Sequence, residues 1–378
     1  LYSAGQFKTG ERAVDAVTER DSSVTILGDS GGFQIGKGKL PGFDKLPRNL
    51  TAEKIGNLWT NAIATKLHIV NWLETHADYA MTIDMPLWAK LPQNKMSPFH
   101  KCSIEQLVEL TVDNLRFIRA NQRGRTKWLN VIQGTNADDM RMWWNAVKRY
   151  RFSGWALAGN VGWRGGLESV LRQTLLMRDE GAFEKGQDWL HMLGVSQAKW
   201  SVLLTAMQRG LRAKTNSKLR ISYDSASPTL IGARNQQIAL YPNFSKAADT
   251  WSIRTVRCPN FREYVHSKLH FPFLSPLGDH IQLSHINVRD TKFDPKHLDE
   301  VSANLLVNHN TWVYVRAFLE ANELAFLDQH DAGQFVPKML LEGLGFIEDV
   351  LQRTTWRSAM DRSGKLFAAI DRLRDDAT

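Results

Sequence analysis

With only two cysteines, Cys102 and Cys258, far apart in a chain of 378 residues, the sequence excludes a disulfide-stapled scaffold and fits a reducing compartment. Two thiols also cannot complete a zinc site by themselves. No apolar run approaches the length of a membrane-spanning helix, and the opening LYSAGQFKTGER lacks the apolar core of a signal peptide. The expectation is a cytoplasmic protein with no membrane partner. There is no internal repeat and no low-complexity segment.

What is present is apolar material, 43% of the residues, enough to bury a large core in one or two domains. Lysine and arginine total 48 against 39 acidic residues, a formal charge of +9 that favours a polyanionic partner over an acidic small molecule. Thirteen tryptophans offer surface for stacking on bases, although most tryptophans in a chain of this size serve the core.

Six short segments are apolar nearly throughout and are separated by helix-length stretches, the pattern of buried parallel strands. They are VTILGDS (24–30), YAMTIDM (79–85), WLNVIQG (128–134), GWALAGN (154–160), WLHMLGV (189–195) and LRISYDS (219–225). Each carries a polar residue or glycine near its C-terminal end: Asp29, Asp84, Gln133, Gly159, Gly194 and Asp224. In a TIM (β/α)8 barrel the strand C-termini converge on one face and build the active site. The fold class expected is therefore α/β, a TIM barrel with inserted loops and a C-terminal helical and basic subdomain. A barrel needs eight strands, so two N-terminal strands lie upstream or are too weak to recognise; a doubly wound open sheet is the alternative.

Between the strands, Ser103 and Gln106 form a capping-box pattern that opens an amphipathic run through Ile118, with Leu107, Val108, Leu110, Leu115 and Phe117 as its apolar stripe. Segments 138–150, 166–179 and 198–213 have the same character. The division expected is a catalytic core over 1–245 and a C-terminal subdomain over 246–378. The latter begins with a basic, histidine-containing region and returns to helix over 337–374.

The chemistry-bearing residues sit at strand ends. Asp29 enters a Ser-Gly-Gly turn in LGDSGGFQI, where glycines permit close backbone approach to a ligand; closing a tight turn is the other role such an Asp fills. Phe33 then offers an apolar face on which a planar base can stack. Asp224 in ISYDSASPT and Asp84 in TIDMP repeat the pattern, each followed by a proline. Carboxylates gathered at one sheet edge repel unless the chemistry needs them. Reaction at a glycosidic carbon does: one attacks the anomeric carbon and another handles the leaving group's proton.

DSGGFQ at 29–34 resembles the signature of the queuine and archaeosine tRNA-guanine transglycosylases, and TIDMP, VIQG, GWALAGNVG, HMLGV and YDSASPT resemble later segments of that family in the same order, over roughly residues 24–290. The resemblance implies that Asp224 is the nucleophile and Asp29 the general acid/base. It further implies that Asp84, Gln133 and the Gly159 backbone hydrogen-bond a 7-deazaguanine while Phe33 and Leu193 sandwich its ring. Asn160 occupies a position that helps read the base's side group. The target base must leave any helical stack to reach such a pocket.

Two departures redirect the substrate. Where the family's zinc motif has three cysteines the chain reads VRCPNF at 256–261, leaving Cys258 and His285 of four ligands; His266 and His270, four apart on an expected helix, are the other candidates. Zinc is thus an optional cofactor with an incomplete motif, and none is required for the chemistry. After the nucleophile, Leu230 stands where the tRNA enzymes have an arginine, with Arg234 nearby. In both respects the chain is similar to the diverged phage and genomic-island members that insert bases such as preQ0 into DNA. The expected partners are DNA and a free 7-deazaguanine. Lys37, Lys39 and Arg234 are the candidates for backbone contacts, with Lys45 and Arg48 in the same loop as the first two; a solvated basic loop is the other reading of 35–49. The alternatives are a tRNA transglycosylase with an altered zinc subdomain, a non-catalytic nucleic-acid-binding accessory subunit, and a glycosidase, which leaves the basic charge unexplained.

Overall fold

All six apolar segments form strands, and these pair in the order in which they occur. The computed structural model describes residues 2–7, 15–40, 43, 46, 50–159, 165–184, 186–258, 264, 266–286 and 298–373. The strands are β2 (Leu27–Asp29), β3 (Tyr79–Met81), β4 (Lys127–Ile132), β5 (Gly154–Leu157), β6 (Trp189–Met192) and β7 (Arg220–Tyr223), joined at one edge by β1 (Tyr2–Ser3). Every pairing in this seven-stranded sheet is parallel and the order is β1 through β7. A sequential order has no point at which the strand order reverses, which sets aside the doubly wound alternative. β1 is a strand that the sequence does not announce. Among the described residues there is no eighth strand in this sheet.

The chain divides into two compact units, Leu1–Leu193 with Thr215–Tyr223, and Gly194–Lys214 with Asp224–Thr378. The first holds the whole parallel sheet. Its helices are α1 (Asp15–Thr18), α2 (Gly32–Gly36), α3 (Ala52–Thr60), α4 (Ile63–His76), α5 (Ile104–Asn121), α6 (Ala137–Val147) and α7 (Gly166–Asp179). α5 starts where the sequence places it, because both halves of the Ser103–Gln106 box are made: the Gln106 N–H donates to Ser103 Oγ at 3.1 Å and the Ser103 N–H to Gln106 Oε1 at 2.8 Å. β5 and β6 are buried at every position, as parallel strands covered on both faces must be.

The sheet curls. Neighbouring strands lie about 4.8 Å apart, so β3 and β6 would be roughly 14 Å apart in a flat sheet. Yet the rings of Tyr79 and Trp189, which open those two strands, have centroids 4.1 Å apart. Met81, Leu129, Val131, Ala156 and Ala158 join Trp189 in one buried cluster on the inner face. At the same N-terminal end, Lys127 Nζ lies 5.2 Å from the Tyr79 ring and the Arg220 guanidinium 5.8 Å from the Trp189 ring. Two aromatic rings thus meet across the curl at this end, with a cation beside each. Most of the other tryptophans serve the core: Trp59, Trp128, Trp143, Trp144 and Trp155 are all fully buried.

The second unit is chiefly helical. α8 (Ala198–Lys214) packs against the helix Lys338–Gln352 so closely that a Cβ on Gly210 would stand 2.9 Å from Leu351 Cβ. The helix expected over 337–374 is three helices, Lys338–Gln352, Arg357–Arg362 and Gly364–Asp371. A further helix, Glu300–Ala325, is capped by the Asp299 carboxylate on the Ser302 N–H. Beside it β8 (Gln237–Ala239) and β9 (Thr255–Arg257) pair antiparallel. The helix expected to carry both His266 and His270 is not formed: residues 267–269 are irregular, and His270 makes an isolated bridge with Gln282. Among the described residues, no helix is long and apolar enough to cross a membrane.

Candidate active site

Parallel pairing brings the C-terminal ends of β2 to β6 to one edge of the sheet, and the first unit's candidate residues sit there. Asp29 is the last residue of β2. The turn that follows folds back on it: Gly31 adopts φ +92° and its N–H donates to Asp29 Oδ2 at 3.0 Å. A side chain at Gly31 is barred by backbone, since its Cβ would fall 2.9 Å from the Gly5 Cα. Gly32 faces a carboxylate instead, with both Asp84 oxygens 3.8 Å from where its Cβ would be. The Ser-Gly-Gly motif thus serves chain packing and lets the Asp84 carboxyl lie next to the turn.

Asp84 lies three residues beyond β3 on a segment held from three sides. The Val131 N–H donates to Thr82 Oγ1 at 3.0 Å, Asn114 Nδ2 donates to the Ile83 carbonyl at 3.2 Å, and the Met85 N–H donates to Thr111 Oγ1 at 3.0 Å. Asn114 is itself fixed by the Trp59 indole N–H at 3.0 Å. The carboxyl is only 4% exposed and accepts the Gln133 Nε2 hydrogen bond at 2.5 Å. Burial pushes it up to about 7, against the Gln133 hydrogen bond that favours the anion, and the charge of Asp29 pushes the same way as burial. The structure therefore brings Asp29, Asp84 and Gln133 together.

Gly159 closes this edge. It has φ +102°, and a Cβ there would stand 2.1 Å from the Gly134 carbonyl oxygen, so the ends of β4 and β5 meet backbone to backbone. Leu193, directly after β6, donates its N–H to the Leu157 carbonyl at 3.0 Å and packs half-buried on the inner-face cluster. Phe33, at the start of α2, is 57% exposed. It leans on the half-buried Trp88 with ring centroids 5.6 Å apart, and Lys37 Nζ lies 5.7 Å and 5.2 Å from the two centroids. Lys39 is exposed on the same loop. Asn160, Lys45 and Arg48 lie outside the described residues.

Two features here escaped the sequence reading. Trp88 is the aromatic partner of Phe33, and its signal was its place just after TIDMP, facing Gly36, where a Cβ would come within 2.4 Å of the indole. His191 is buried on β6, with Nδ1 2.8 Å from Ser222 Oγ, which also accepts the Trp189 indole N–H at 2.7 Å. A histidine at alternate spacing with Trp189 and Leu193 was the available sign that it faces inward.

The second unit holds the remaining candidates. Asp224, the residue after β7, accepts the Gly194 N–H on Oδ1 at 3.0 Å, and its carbonyl accepts the Val195 N–H at 2.8 Å. Arg234 ends a short π-helical turn, Leu230–Arg234, and is exposed. Cys258 packs against the apolar cluster of Ile238, Phe271 and Ile281, and burial pushes its thiol up to about 12. His285 is exposed, with Nδ1 accepting the Gln282 N–H at 3.2 Å. Among the described residues no group of three or more His, Cys, Asp or Glu is placed to hold a metal. Cys258 and His285 are therefore not joined by further ligands among the described residues. No protein-family model matches the chain, and no curated protein matches it.

Proposed function

We propose that this protein exchanges a base in a polynucleotide, replacing guanine in DNA by a 7-deazaguanine of the preQ0 type, on a TIM-type (β/α)8 scaffold. The observation that carries the reading is the buried Asp84–Gln133 pair beside Asp29 at the end of a curled parallel sheet. A carboxyl held near neutrality by burial and hydrogen-bonded by an amide suits a planar, uncharged ligand rich in N–H donors, which is what the pairing edge of a guanine-like base offers. The sequential, all-parallel, curled order supports the barrel reading, in which catalytic groups come from the ends of several strands.

In this reading the Asp224 carboxylate attacks C1′ of the target nucleotide. The C1′–N9 bond breaks, its electron pair departs with guanine, and Asp29 supplies the proton the leaving base requires. Asp29, now a base, takes the N9 proton of the incoming 7-deazaguanine, and that nitrogen attacks C1′ and displaces the Asp224 carboxylate. Two displacements retain the anomeric configuration. Asp84 and Gln133 read the edge of the base, the Gly159 backbone adds a contact, and Phe33 and Leu193 flank the ring. Lys37, Lys39 and Arg234 meet phosphates.

The test is incubation with labelled preQ0 or guanine and, separately, single-stranded DNA, duplex DNA and unmodified tRNA. Label in DNA is the expected result. Label in tRNA alone moves the substrate to tRNA, and label in none returns the protein to the accessory class.

A further inference from the structure

Next to the Phe33–Trp88 pair lies a cleft of about 220 Å³ whose rim carries Lys37, Lys95, His100 and Lys101, and none of its described lining residues is acidic. Buried Phe43 and half-buried Pro98 give it an apolar floor, and exposed Met96 is a further apolar lining group. Lys95 and Lys101 are exposed, and among the described residues neither forms an ion pair. Among the described residues, positive charge is therefore concentrated here without an acidic partner.

The cleft is tied to the aromatic pair rather than merely near it. Lys37 lines the cleft while its ammonium lies over both rings. Asn94 Nδ2 donates to the Trp88 carbonyl at 2.8 Å, and His100 Nδ1 lies 3.0 Å from the Ala89 carbonyl. The loop bearing the lysines is thus pinned at both ends to the short helix Leu87–Lys90 that carries Trp88. Underneath, Phe43 packs edge-on against Trp59 with centroids 5.3 Å apart, which fixes the floor.

We infer that this cleft, with Trp88, holds a single-stranded stretch of nucleic acid: phosphates on Lys95, Lys101 and Lys37, and an unstacked base on Trp88. The inference rests on the polynucleotide substrate proposed above and names where its flanking strand runs. A cationic groove that also offers aromatic faces is the combination that single strands use, because their bases are free to stack. A duplex hides its base faces and leaves Trp88 and the apolar floor idle. Small anions would meet the lysines but would not need the rings.

Fluorescence anisotropy of the full chain with an end-labelled single-stranded oligonucleotide, titrated at several salt concentrations, reads this directly. Lys95→Glu with Lys101→Glu is expected to weaken binding at least tenfold at low salt. It is also expected to flatten the dependence of log affinity on log salt by about 1.4, at about 0.7 per phosphate contact on a single strand. Lysine-to-arginine changes at the same two positions should preserve both values. Trp88→Leu, checked for an unchanged melting curve, should weaken binding several-fold with the slope intact.

Three outcomes overturn the inference: a wild-type chain that does not bind single strands, equal losses when Lys338 and Lys365 of the second unit are reversed instead, or the same losses measured on duplex DNA. Base exchange is measured separately on the wild-type chain. Exchange with an unaltered slope in the lysine variant removes the cleft alone, and an altered slope without exchange removes the reaction alone.

Discussion

The two ends of the parallel sheet are built from different materials. At the N-terminal end the first residues of β3, β4, β6 and β7 are Tyr79, Lys127, Trp189 and Arg220, an aromatic plug with a cation beside each ring. At the C-terminal end the strands run out into Asp29, Asp84, Gln133 and the bare backbone of Gly159, with a buried carboxyl held near neutrality. One end lowers the free energy of the fold. The other stores unfavourable electrostatics, the signature of a site kept for ligands rather than for stability.

That contrast can be broken or sharpened by mutation. The largest effect is expected at the residue after β7: Asp224→Asn should abolish the covalent enzyme–polynucleotide adduct on a denaturing gel and reduce base exchange to background, with the melting temperature little changed. Undiminished adduct would remove Asp224 from its role. Next comes the opposite end, where Trp189→Ala should cost about 3–5 kcal/mol in denaturant unfolding. A loss below about 1 kcal/mol would mean that the plug is ornamental.

Asp84→Asn should do the reverse of a core mutation, and the sign follows from the raised acidity constant. The folded carboxyl resists ionisation while the unfolded one ionises near 3.8, so its contribution to stability is fully present below that pH and is lost as pH rises to about 7. The variant's unfolding free energy should match the wild type near pH 4 and exceed it increasingly up to about pH 7, by an amount on the order of a few kcal/mol, while exchange is lost. A constant offset at every pH would refute the linkage. Base binding to the anion should also tighten as pH rises through 7, visible as a falling KM for the free base. The smallest effect is expected for Arg220→Ala, about 0.5–1 kcal/mol, because an exposed cation over a ring contributes little; its unfolding curve checks this.

Much of the first unit was legible in the sequence because parallel strands buried on both faces leave long apolar runs, each ending in a polar residue or glycine at the C-terminal edge. β1 was not, since two residues, Tyr2 and Ser3, carry no periodicity. The helix Glu300–Ala325 was missed for another reason: its buried stripe includes polar groups. His309 sits between Ser275 Oγ at 2.8 Å and the Ala239 carbonyl at 3.0 Å, and Asn310 Oδ1 accepts the Ala239 N–H at 2.8 Å. Hydrophobic patterning cannot see a helix packed through hydrogen bonds. The histidines at 266 and 270 misled in the opposite direction, since a spacing of four has meaning only where a helix exists. At the site, Asp29, Asp84 and Gln133 announced themselves as polar ends of apolar runs. Trp88 looked like one more core aromatic until its neighbours were known.

The contact between Gly134 and Gly159 leaves a mark that outlasts any single variant. Position 159 can accept no other residue without parting two strands, so a saturation library there should return glycine alone. Variation at this edge is left to side chains such as those at positions 33, 84, 133 and 193, while the backbone contact stays as it is.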